Sequence, residues 1–369
     1  MKITFNIWKE SLLSSLFCML ILLSKAQDKT WHSPLDATMI SGRSIELEPQ
    51  DGFGRLPSPY KNQVRESVWN LGLQAAGVYV DFSTEADSIF VRYQVAGGLN
   101  MPHMPTTGVS GLDLYAFDPK DKEWSWAHGR YQFRDTIQYS FENIGHHGNK
   151  VYRLYLPLYN QVQWLEIGTS SKYTLEFKKE SSKPIVIYGT SIAQGACASR
   201  PGIGWTNILG RLMNKPIINL AFSGNGRLEQ PILEMMNKID AEVYVLDCIP
   251  NLSLRGDRTA DELAKLIEDA VSFLRKDHPH VPIVLTGHSS SNVKGVLNLG
   301  TENEYTASTK VAEETVKALQ KKGIKKLHWL SSSSIQLDVN STVDYAHPND
   351  IGMKKIADAY ENILRRLVK

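Results

Sequence analysis

The sequence predicts two architectures in one chain: an all-β sandwich in the first half, then a three-layer α/β domain around a parallel sheet. Up to about residue 180, apolar and polar residues alternate in short segments, which indicates half-buried strands. Beyond that point, short continuous apolar runs alternate with segments of three- and four-residue apolar spacing, which indicates buried strands and helices in turn. A length of 369 residues is enough for two domains with separate cores.

A leader peptide, residues 1–26, is predicted at the start of the chain. Lys2 and Lys9 precede an apolar run over residues 12–24, and small residues end that run, so we expect cleavage after Ala26. Such a leader implies export, to the periplasm or the extracellular medium; an uncleaved anchor is the alternative. No later stretch has the roughly 20 apolar residues that a membrane-spanning helix needs.

The formal charge is nearly balanced. The chain has 41 Lys and Arg against 39 Asp and Glu, and residues 1–26 hold three of the lysines and one glutamate. The mature net charge is therefore close to zero. Nucleic acids and anionic membranes attract clustered positive charge, so composition argues against both as the main partner. Composition leaves the oligomeric state open.

Residues 27–182 are predicted to form a β-sandwich with a jelly-roll-like arrangement and no helices. Apolar residues recur there with period two, and Gly, Pro, Asn and Asp separate the segments. The alternating residues are Val78, Val80 and Phe82; Ile89, Val91, Tyr93 and Val95; Leu112 and Leu114; Tyr152, Leu154 and Leu156; and Tyr173, Leu175 and Phe177.

A polar segment, residues 178–184, ends in a proline and marks the predicted junction, so that residues 183–369 form the second domain. Two segments there have helical apolar spacing, Leu263–Leu274 and Met353–Leu367. Five apolar runs predict the strands of this domain, namely residues 185–188, 216–220, 243–246, 283–285 and 326–330. This alternation predicts a parallel sheet, whose ligand site lies at the carboxyl ends of the strands.

Three turns after these strands carry groups suited to acyl transfer. Ser191 follows the first strand at a strand-to-helix turn, although a serine there also commonly caps a helix. Gly224 follows the second strand, where glycine can expose its backbone N–H to a developing anion, or simply form a turn. Asn251 follows the third strand, and its amide could donate a further hydrogen bond to that anion.

Asp344 and His347 lie together in the loop before the C-terminal helix. An aspartate three residues before a histidine can accept one imidazole N–H and leave the other ring nitrogen to deprotonate a hydroxyl. One such pair arises often by chance. Chance explains less well why nucleophile, donors, acid and base all follow successive strand ends.

These segments resemble the SGNH (GDSL-like) hydrolases over roughly residues 184–369. The resemblance implies a flavodoxin-like sheet, and it departs from the usual pattern at Thr190, where aspartate is common, and at Ala221, where glycine is common. The residues that it assigns are Ser191, Asp344 and His347 as the catalytic triad, with Ser191, Gly224 and Asn251 as the oxyanion hole.

The run from Gln194 to Gly202 and the β-rich first half also resemble two-domain secreted members of that family from carbohydrate-degrading bacteria. The resemblance implies a serine esterase that removes acyl groups, expected to be O-acetyl, from an oligosaccharide or polysaccharide. Its acyl-enzyme chemistry needs no metal and no organic cofactor.

Other residues near these loops have less specific roles. Arg200 and Arg227 could bind sugar hydroxyls or be structural. His288 could also act as a base, but it lacks a neighbouring acid, so we expect it to contact substrate or support the fold. Trp124 and Trp126 could stack on sugar rings or form one face of the sandwich core.

Two cysteines remain in the mature chain. Cys197 and Cys248 follow the first and third predicted strands, which are neighbours in the strand order of the family. The resemblance therefore implies a disulfide beside the active site, which reduced thiols would rule out.

Two other functions stay open. A carbohydrate-binding protein without turnover would keep the fold and use the β-domain to bind glycan, but a complete triad argues against it. A lipase, thioesterase or peptidase would use the same triad on another acyl compound, and exposed apolar lid segments would favour a lipase.

Overall fold

The computed structural model describes residues 28–36, 39–43, 47–145, 150–254, 258–288, 295–297 and 299–368. The predicted leader lies outside these described residues. Within them, no helix is both long and apolar enough to cross a lipid bilayer.

The first half forms the predicted β-sandwich. Its two five-stranded antiparallel sheets have the strand orders β1-β9-β3-β7-β6 and β10-β2-β8-β4-β5, counted over the described part of the chain. Alternate residues such as Val80, Val91 and Leu154 point inward from both sheets into one buried core, as period two requires. Successive strands mostly alternate between the two sheets. The strands are β1 Lys29–His32, β2 Tyr79–Thr84, β3 Ser88–Val95, β4 Asp113–Asp118, β5 Glu123–Ala127, β6 Arg130–Gln132, β7 Ile137–Glu142, β8 Val151–Tyr155, β9 Val162–Ser170 and β10 Leu175–Lys178.

The expectation that this half has no helices is wrong. It contains α1 (Glu66–Gly72) and α2 (Thr106–Val109), besides short 3₁₀ turns at Pro49–Asp51 and Ser58–Asn62. Residues around α1 pack on the second half instead of the sandwich. Leu56, Tyr60, Val64 and Val68 belong to the same buried cluster as Tyr188, Leu220 and Phe222. Of these four residues only Val68 lies in α1, and a helix of seven residues is too short to show a clear helical repeat in the sequence.

The second half is a three-layer α/β domain around a parallel sheet, as predicted. Its strand order is β12-β11-β13-β14-β15, the flavodoxin-like order with β11 next to β12 and β13. Gly189 pairs with Ala221 and with Asp247, so the carboxyl ends of three strands lie level. The strands are β11 Ile185–Gly189, β12 Ile217–Ala221, β13 Val243–Asp247, β14 Ile283–Thr286 and β15 Leu327–Leu330.

Helices cover both faces of this sheet. One buried cluster joins α5, α6 and α7 to one face, and a second joins α3, α4 and α9 to the other. Met104 and Tyr159 of the sandwich belong to the second cluster, so the two halves share a core. The helices are α3 Ser191–Gln194, α4 Trp205–Met213, α5 Gln230–Asn237, α6 Ala260–Asp277, α7 Leu299–Lys321, α8 Ser332–Ile335 and α9 Asp350–Leu364.

Candidate active site

Ser191 lies at the carboxyl end of the central strand β11. It is the first residue of α3, and Thr190 caps that helix by accepting a hydrogen bond from the N–H of Ile192 at 3.4 Å. The hydroxyl of Tyr159 donates to the Ser191 carbonyl oxygen at 3.2 Å. The backbone on both sides of the nucleophile candidate is therefore held, and Ser191 is only 6% exposed.

The structure brings the predicted base and acid to this serine. Ser191 Oγ lies 2.8 Å from His347 Nε2, and His347 Nδ1 lies 2.7 Å from Asp344 Oδ2. Asp344 Oδ1 also accepts from the backbone N–H of His347 at 2.8 Å. A carboxylate in this position keeps Nδ1 protonated, so Nε2 can take the proton of the serine hydroxyl.

A closed loop orients the acid and the base. An antiparallel bridge joins Thr342 to Pro348, and the N–H of Val343 donates to the His347 carbonyl at 2.9 Å. Inside the loop, Tyr345 has a φ of 72°, a left-handed conformation that tightens the turn. The bridge and this turn hold the two functional side chains within hydrogen-bonding distance of each other.

Asp344 remains a carboxylate at neutral pH. Burial raises the pKa of its carboxyl, but hydrogen bonds from the side chain and backbone of His347 and from the backbone of Ala346 outweigh burial, so the pKa lies below its ordinary value. Its side chain is 45% exposed and that of His347 is 25% exposed, so solvent screens the pair. The pair is open enough for a substrate to approach.

The loop after β12 supplies the predicted glycine donor. Gly224 has a φ of 67°, which favours glycine, and its N–H has no partner among the described residues; nor has the N–H of Ser191 at the start of α3. A Cβ on Gly226 would lie 2.3 Å from the Gly189 carbonyl oxygen, so this loop packs directly on the nucleophile strand.

Asn251 joins the same loop. Its Oδ1 accepts from the N–H of Gly226 at 3.0 Å, which leaves the NH2 end of the amide available as a donor. The loops after β12 and β13 are thus tied together beside Ser191. Two backbone N–H groups and one amide are suited to bind an oxyanion there.

The remaining predicted contacts are placed differently. Arg200 is held by Asp113 and by the Tyr115 hydroxyl, 2.7 Å away, so it joins the two halves of the chain. Arg227 is exposed, and its guanidinium lies 3.3 Å from the Gly224 carbonyl oxygen, at the edge of the candidate oxyanion hole.

The prediction that His288 contacts substrate is not supported by its placement. It is 1% exposed, and its ring stacks on Tyr305 with centroids 3.8 Å apart. Burial, followed by the nearby charge of His347, lowers the pKa of His288 to about 3, so it is neutral at ordinary pH. This placement fits the other role expected for His288, support of the fold close to His347.

The disulfide prediction is wrong, because Cys197 and Cys248 are both free and buried. Cys197 packs in the cluster on one face of the sheet and Cys248 in the cluster on the opposite face. The side chains therefore point into different layers even though both follow strand ends. Burial, and then the charge of Asp344, raises the pKa of Cys197 to about 12, which makes it an unreactive thiol.

Sequence reasoning missed Arg55, a wholly buried residue of the first half. Its guanidinium donates to the carbonyl oxygens of Gln74 at 2.8 Å and Leu71 at 2.7 Å. It also donates to Asn219 at 3.1 Å and Ala221 at 2.6 Å, both on the edge strand β12. Arg55 therefore holds the strand that leads into the Gly224 loop.

Gln194 makes a second link to that loop. Its amide donates to Gln74 Oε1 at 2.6 Å, and its own Oε1 accepts from the N–H of Ser223 at 2.9 Å. The nucleophile helix, the first half of the chain and the candidate oxyanion loop thus form one network. No local sequence signal marks either link, because each joins residues far apart in the chain.

Asp113 was also missed, although it lies in a short recognisable motif, Gly111-Leu112-Asp113-Leu114-Tyr115. Its buried carboxylate accepts from Trp126 Nε1 at 2.6 Å and from the N–H of Gly202 at 2.9 Å, besides pairing with Arg200. It fixes the loop that follows the nucleophile helix onto the sandwich.

No group of three or more His, Cys, Asp or Glu side chains is arranged to hold a metal ion among the described residues.

Comparisons with known proteins agree with this architecture. Residues 182–365 match the GDSL-like lipase/acylhydrolase family, and residues 29–175 match the GxDLY family, described as the N-terminus of SGNH-hydrolase-type esterases. The motif that holds Asp113 has the spacing of that second name. No curated protein matches the sequence.

Several solved structures have the same fold. A GDSL-like lipase from Bacteroides ovatus is 29% identical with a TM-score of 0.81, over 93% of this chain and 99% of that one. A salicylyl-acyltransferase from a tetracycline biosynthetic pathway is 19% identical with a TM-score of 0.74, over 93% and 98%. A family two carbohydrate esterase from Cellvibrio japonicus is 12% identical with a TM-score of 0.55, over 92% and 98%.

The two family matches lie on the two halves that the structure shows, and the parallel sheet presents its serine, glycine, asparagine and histidine in the family's order. The chain therefore belongs to the SGNH (GDSL-like) hydrolases, a family of ester-hydrolysing enzymes, in the form that carries an N-terminal β-sandwich domain.

Proposed function

We propose that this protein is an exported serine esterase that removes O-acetyl groups from an oligosaccharide or polysaccharide, with Ser191 as the nucleophile. The observation that carries the catalytic assignment is the continuous chain of contacts from Ser191 Oγ to His347 at 2.8 Å and from His347 to Asp344 at 2.7 Å. Both distances are those of hydrogen bonds between groups ready to transfer a proton.

In the first half of the reaction, His347 Nε2 takes the hydroxyl proton while Ser191 Oγ attacks the ester carbonyl carbon. Asp344 stabilises the imidazolium that forms. The N–H groups of Ser191 and Gly224 and the amide of Asn251 stabilise the negative oxygen of the tetrahedral intermediate. The C–O bond to the alcohol then breaks, and the alcohol leaves with the proton from His347.

In the second half, water attacks the acyl-enzyme by the same route. His347 accepts one proton from the water as the new C–O bond forms, and it returns that proton to Ser191 Oγ as the carboxylic acid departs. Only water is consumed, so the residues of this chain are sufficient for the whole reaction.

Three observations support a carbohydrate as the substrate class. The fold is shared with the family two carbohydrate esterase from Cellvibrio japonicus. His103 beside His347 and Arg227 beside Gly224 are polar and exposed. Trp126 and Tyr131 expose 48% and 50% of their surface on the sandwich, as aromatic platforms for sugars do.

A second candidate is an esterase for more apolar substrates. Val343, directly before Asp344, is 51% exposed, and Ile351 at the start of α9 is 54% exposed. Exposed aliphatic side chains in the segment that carries the acid and the base favour longer acyl chains. A series of 4-nitrophenyl esters distinguishes the candidates, since acetate should be hydrolysed faster than octanoate if the first is correct.

The central experiment compares the mature chain with Ser191→Ala on 4-nitrophenyl acetate and on acetylated xylan, with released acetate measured. We expect Ser191→Ala to lose at least about 10⁴-fold in kcat, because the nucleophile is gone while the fold remains. Ser272→Ala, an exposed serine on α6, is the matched control and should retain full activity.

Equal turnover by Ser191→Ala would refute the catalytic assignment. Hydrolysis of 4-nitrophenyl acetate without acetate release from any acetylated polysaccharide would support the esterase activity and reject carbohydrate as the substrate class. Wild-type protein that retained residues 1–26 after expression in an exporting host would contradict the proposed leader.

A further inference from the structure

The first half of the chain places a histidine next to the candidate catalytic base. The rings of His103 and His347 lie 6.0 Å apart between centroids, inclined by 35°. His103 is exposed and belongs to the loop between β3 and α2 of the sandwich. The active site is therefore bordered by both halves of the molecule.

The loop that carries His103 is well anchored. Met101 and Met104 pair through backbone hydrogen bonds of 3.3 and 3.1 Å, which makes the tip a tight turn. Met104 is 3% exposed and belongs to the same buried cluster as Ile192 and Cys197 of the α/β domain. Such a turn presents His103 at a fixed position instead of leaving it on a free loop.

The reaction determines which part of a substrate lies near His103. The oxyanion must point toward the donors of Gly224 and Asn251. The leaving oxygen must lie beside His347, because it takes its proton from Nε2. His103 is the neighbour of His347, so it is on the side of the departing alcohol.

A cavity of about 250 Å³ lies on the same part of the sandwich, between the two halves. Thr107, four residues after His103, forms part of its lining, together with Trp126 and Tyr131 from the sandwich and Ser199 and Arg200 from the α/β domain. Its lining combines aromatic rings with hydroxyl groups, which suits a polyhydroxylated ring more than an alkyl chain.

Trp126 is held as a rigid platform. Its Nε1 donates to Asp113 at 2.6 Å, and the Arg200 guanidinium lies 4.4 Å from its ring centroid. Almost half of the side chain nevertheless stays exposed. A ring fixed in this way can stack on a sugar at little cost in side-chain entropy.

We propose that the N-terminal β-sandwich forms the subsite for the leaving alcohol, with His103 as a substrate-contacting residue next to the reacting oxygen and Trp126 as a stacking surface for a sugar further out. This deepens the proposed function and rests on it for the direction of the alcohol. The ligand class is a neutral oligosaccharide that presents hydroxyl groups to His103.

The test measures binding of the alcohol separately from turnover. Unacetylated xylotetraose is added as an inhibitor of 4-nitrophenyl acetate hydrolysis by the full mature chain. We expect competitive inhibition of wild type and an inhibition constant raised about 10-fold by His103→Ala or Trp126→Ala, since each loses one contact or one stacking face. Trp126→Phe should restore most of the loss because it keeps a ring.

The matched control is His280→Ala, an exposed histidine at the opposite, amino-terminal edge of the sheet, which should leave the inhibition constant and the esterase activity within twofold of wild type. Near-ultraviolet circular dichroism checks that each variant is folded. No inhibition of wild type, or inhibition constants unaltered in both variants, would overturn the proposal. A lower kcat on 4-nitrophenyl acetate with an unchanged inhibition constant would also overturn the proposal, because it would indicate that His103 positions His347 and does not contact the alcohol.

The outcome is independent of acetate release. If xylotetraose inhibits and the variants weaken it, the subsite is supported even where acetylated xylan is not a substrate. Conversely, the enzyme could release acetate from xylan while His103→Ala and Trp126→Ala leave the inhibition constant unchanged. That result would keep the proposed function and reject the subsite.

Discussion

The two sides of Ser191 are built in different ways. On the oxyanion side, hydrogen bonds of Gln194 and Asn251 fix the Gly224 loop, and a buried hydrogen bond of Arg55 fixes the end of the strand before it. On the histidine side, the groups are partly open to solvent, with the Asp344 side chain 45% exposed. Charge development on the oxyanion is the same for every ester, whereas the alcohol differs, so a rigid side suits chemistry and an open side suits specificity.

This contrast predicts that substitutions on the oxyanion side affect every ester by one factor, whereas those on the histidine side, His103 included, separate one ester from another. The largest such effect is expected at the site of charge development. The effect on kcat should be smaller for residues that act on the oxyanion site only through other residues.

Asn251→Ala should lower kcat by about 10²- to 10³-fold, because one oxyanion donor is lost. The factor should be the same for 4-nitrophenyl acetate and for an acetylated oligosaccharide, with KM nearly unchanged. Steady-state kinetics on both substrates check this, with Asn362→Ala, an exposed asparagine of α9, as the control. Unequal factors for the two esters would show that Asn251 contacts the alcohol instead.

Arg55→Lys should lower kcat about 10-fold on both esters and reduce the free energy of unfolding by about 2 kcal/mol, because an ammonium cannot reach four carbonyl oxygens at once. Burial lowers the pKa of the Arg55 guanidinium to about 9, and the nearby Tyr159 phenol opposes that shift.

Stability of Arg55→Lys is measured by urea unfolding, and activity is measured on the folded fraction. A purely structural role would reduce stability but leave kcat of the folded enzyme intact. A twofold or smaller change in kcat would therefore contradict a positioning role toward the Gly224 loop.

The smallest effect is expected from reductant. Because Cys197 and Cys248 are free and lie on opposite faces of the sheet, dithiothreitol should shift the melting temperature by less than about 1 °C. A thiol reagent should titrate both cysteines in urea but neither in the native protein. A large destabilisation by reductant would show a covalent link between the two layers.

The fold was largely predictable from the sequence. The apolar runs gave all five parallel strands within one or two residues, since a fully buried strand has a continuous apolar sequence. The alternation of apolar and polar residues predicted the sandwich, because each of its strands buries one face and exposes the other. The exception was the stretch from Leu56 to Val68, which leads into α1; its apolar residues pack on the other half of the chain and therefore lack a partner nearby in sequence.

The candidate site was predicted where motif and topology coincide. Ser191, Asp344 and His347 meet because parallel strands present their following loops at one edge. The disulfide prediction failed because two neighbouring strands can be followed by cysteines whose side chains lie on opposite faces of the sheet. Of the two roles expected for His288, its burial and its stacking on Tyr305 favour support of the fold over contact with substrate.

By itself, the sequence determined the two architectures, the succession of strands along the chain and the chemical groups that follow them, because burial patterns and short motifs are local properties of the chain. Only the tertiary structure decided that Arg55 holds the edge strand and that His103 lies against His347. Those contacts join residues that are far apart in the chain, and their positions depend on how two complete domains pack, which no local pattern encodes.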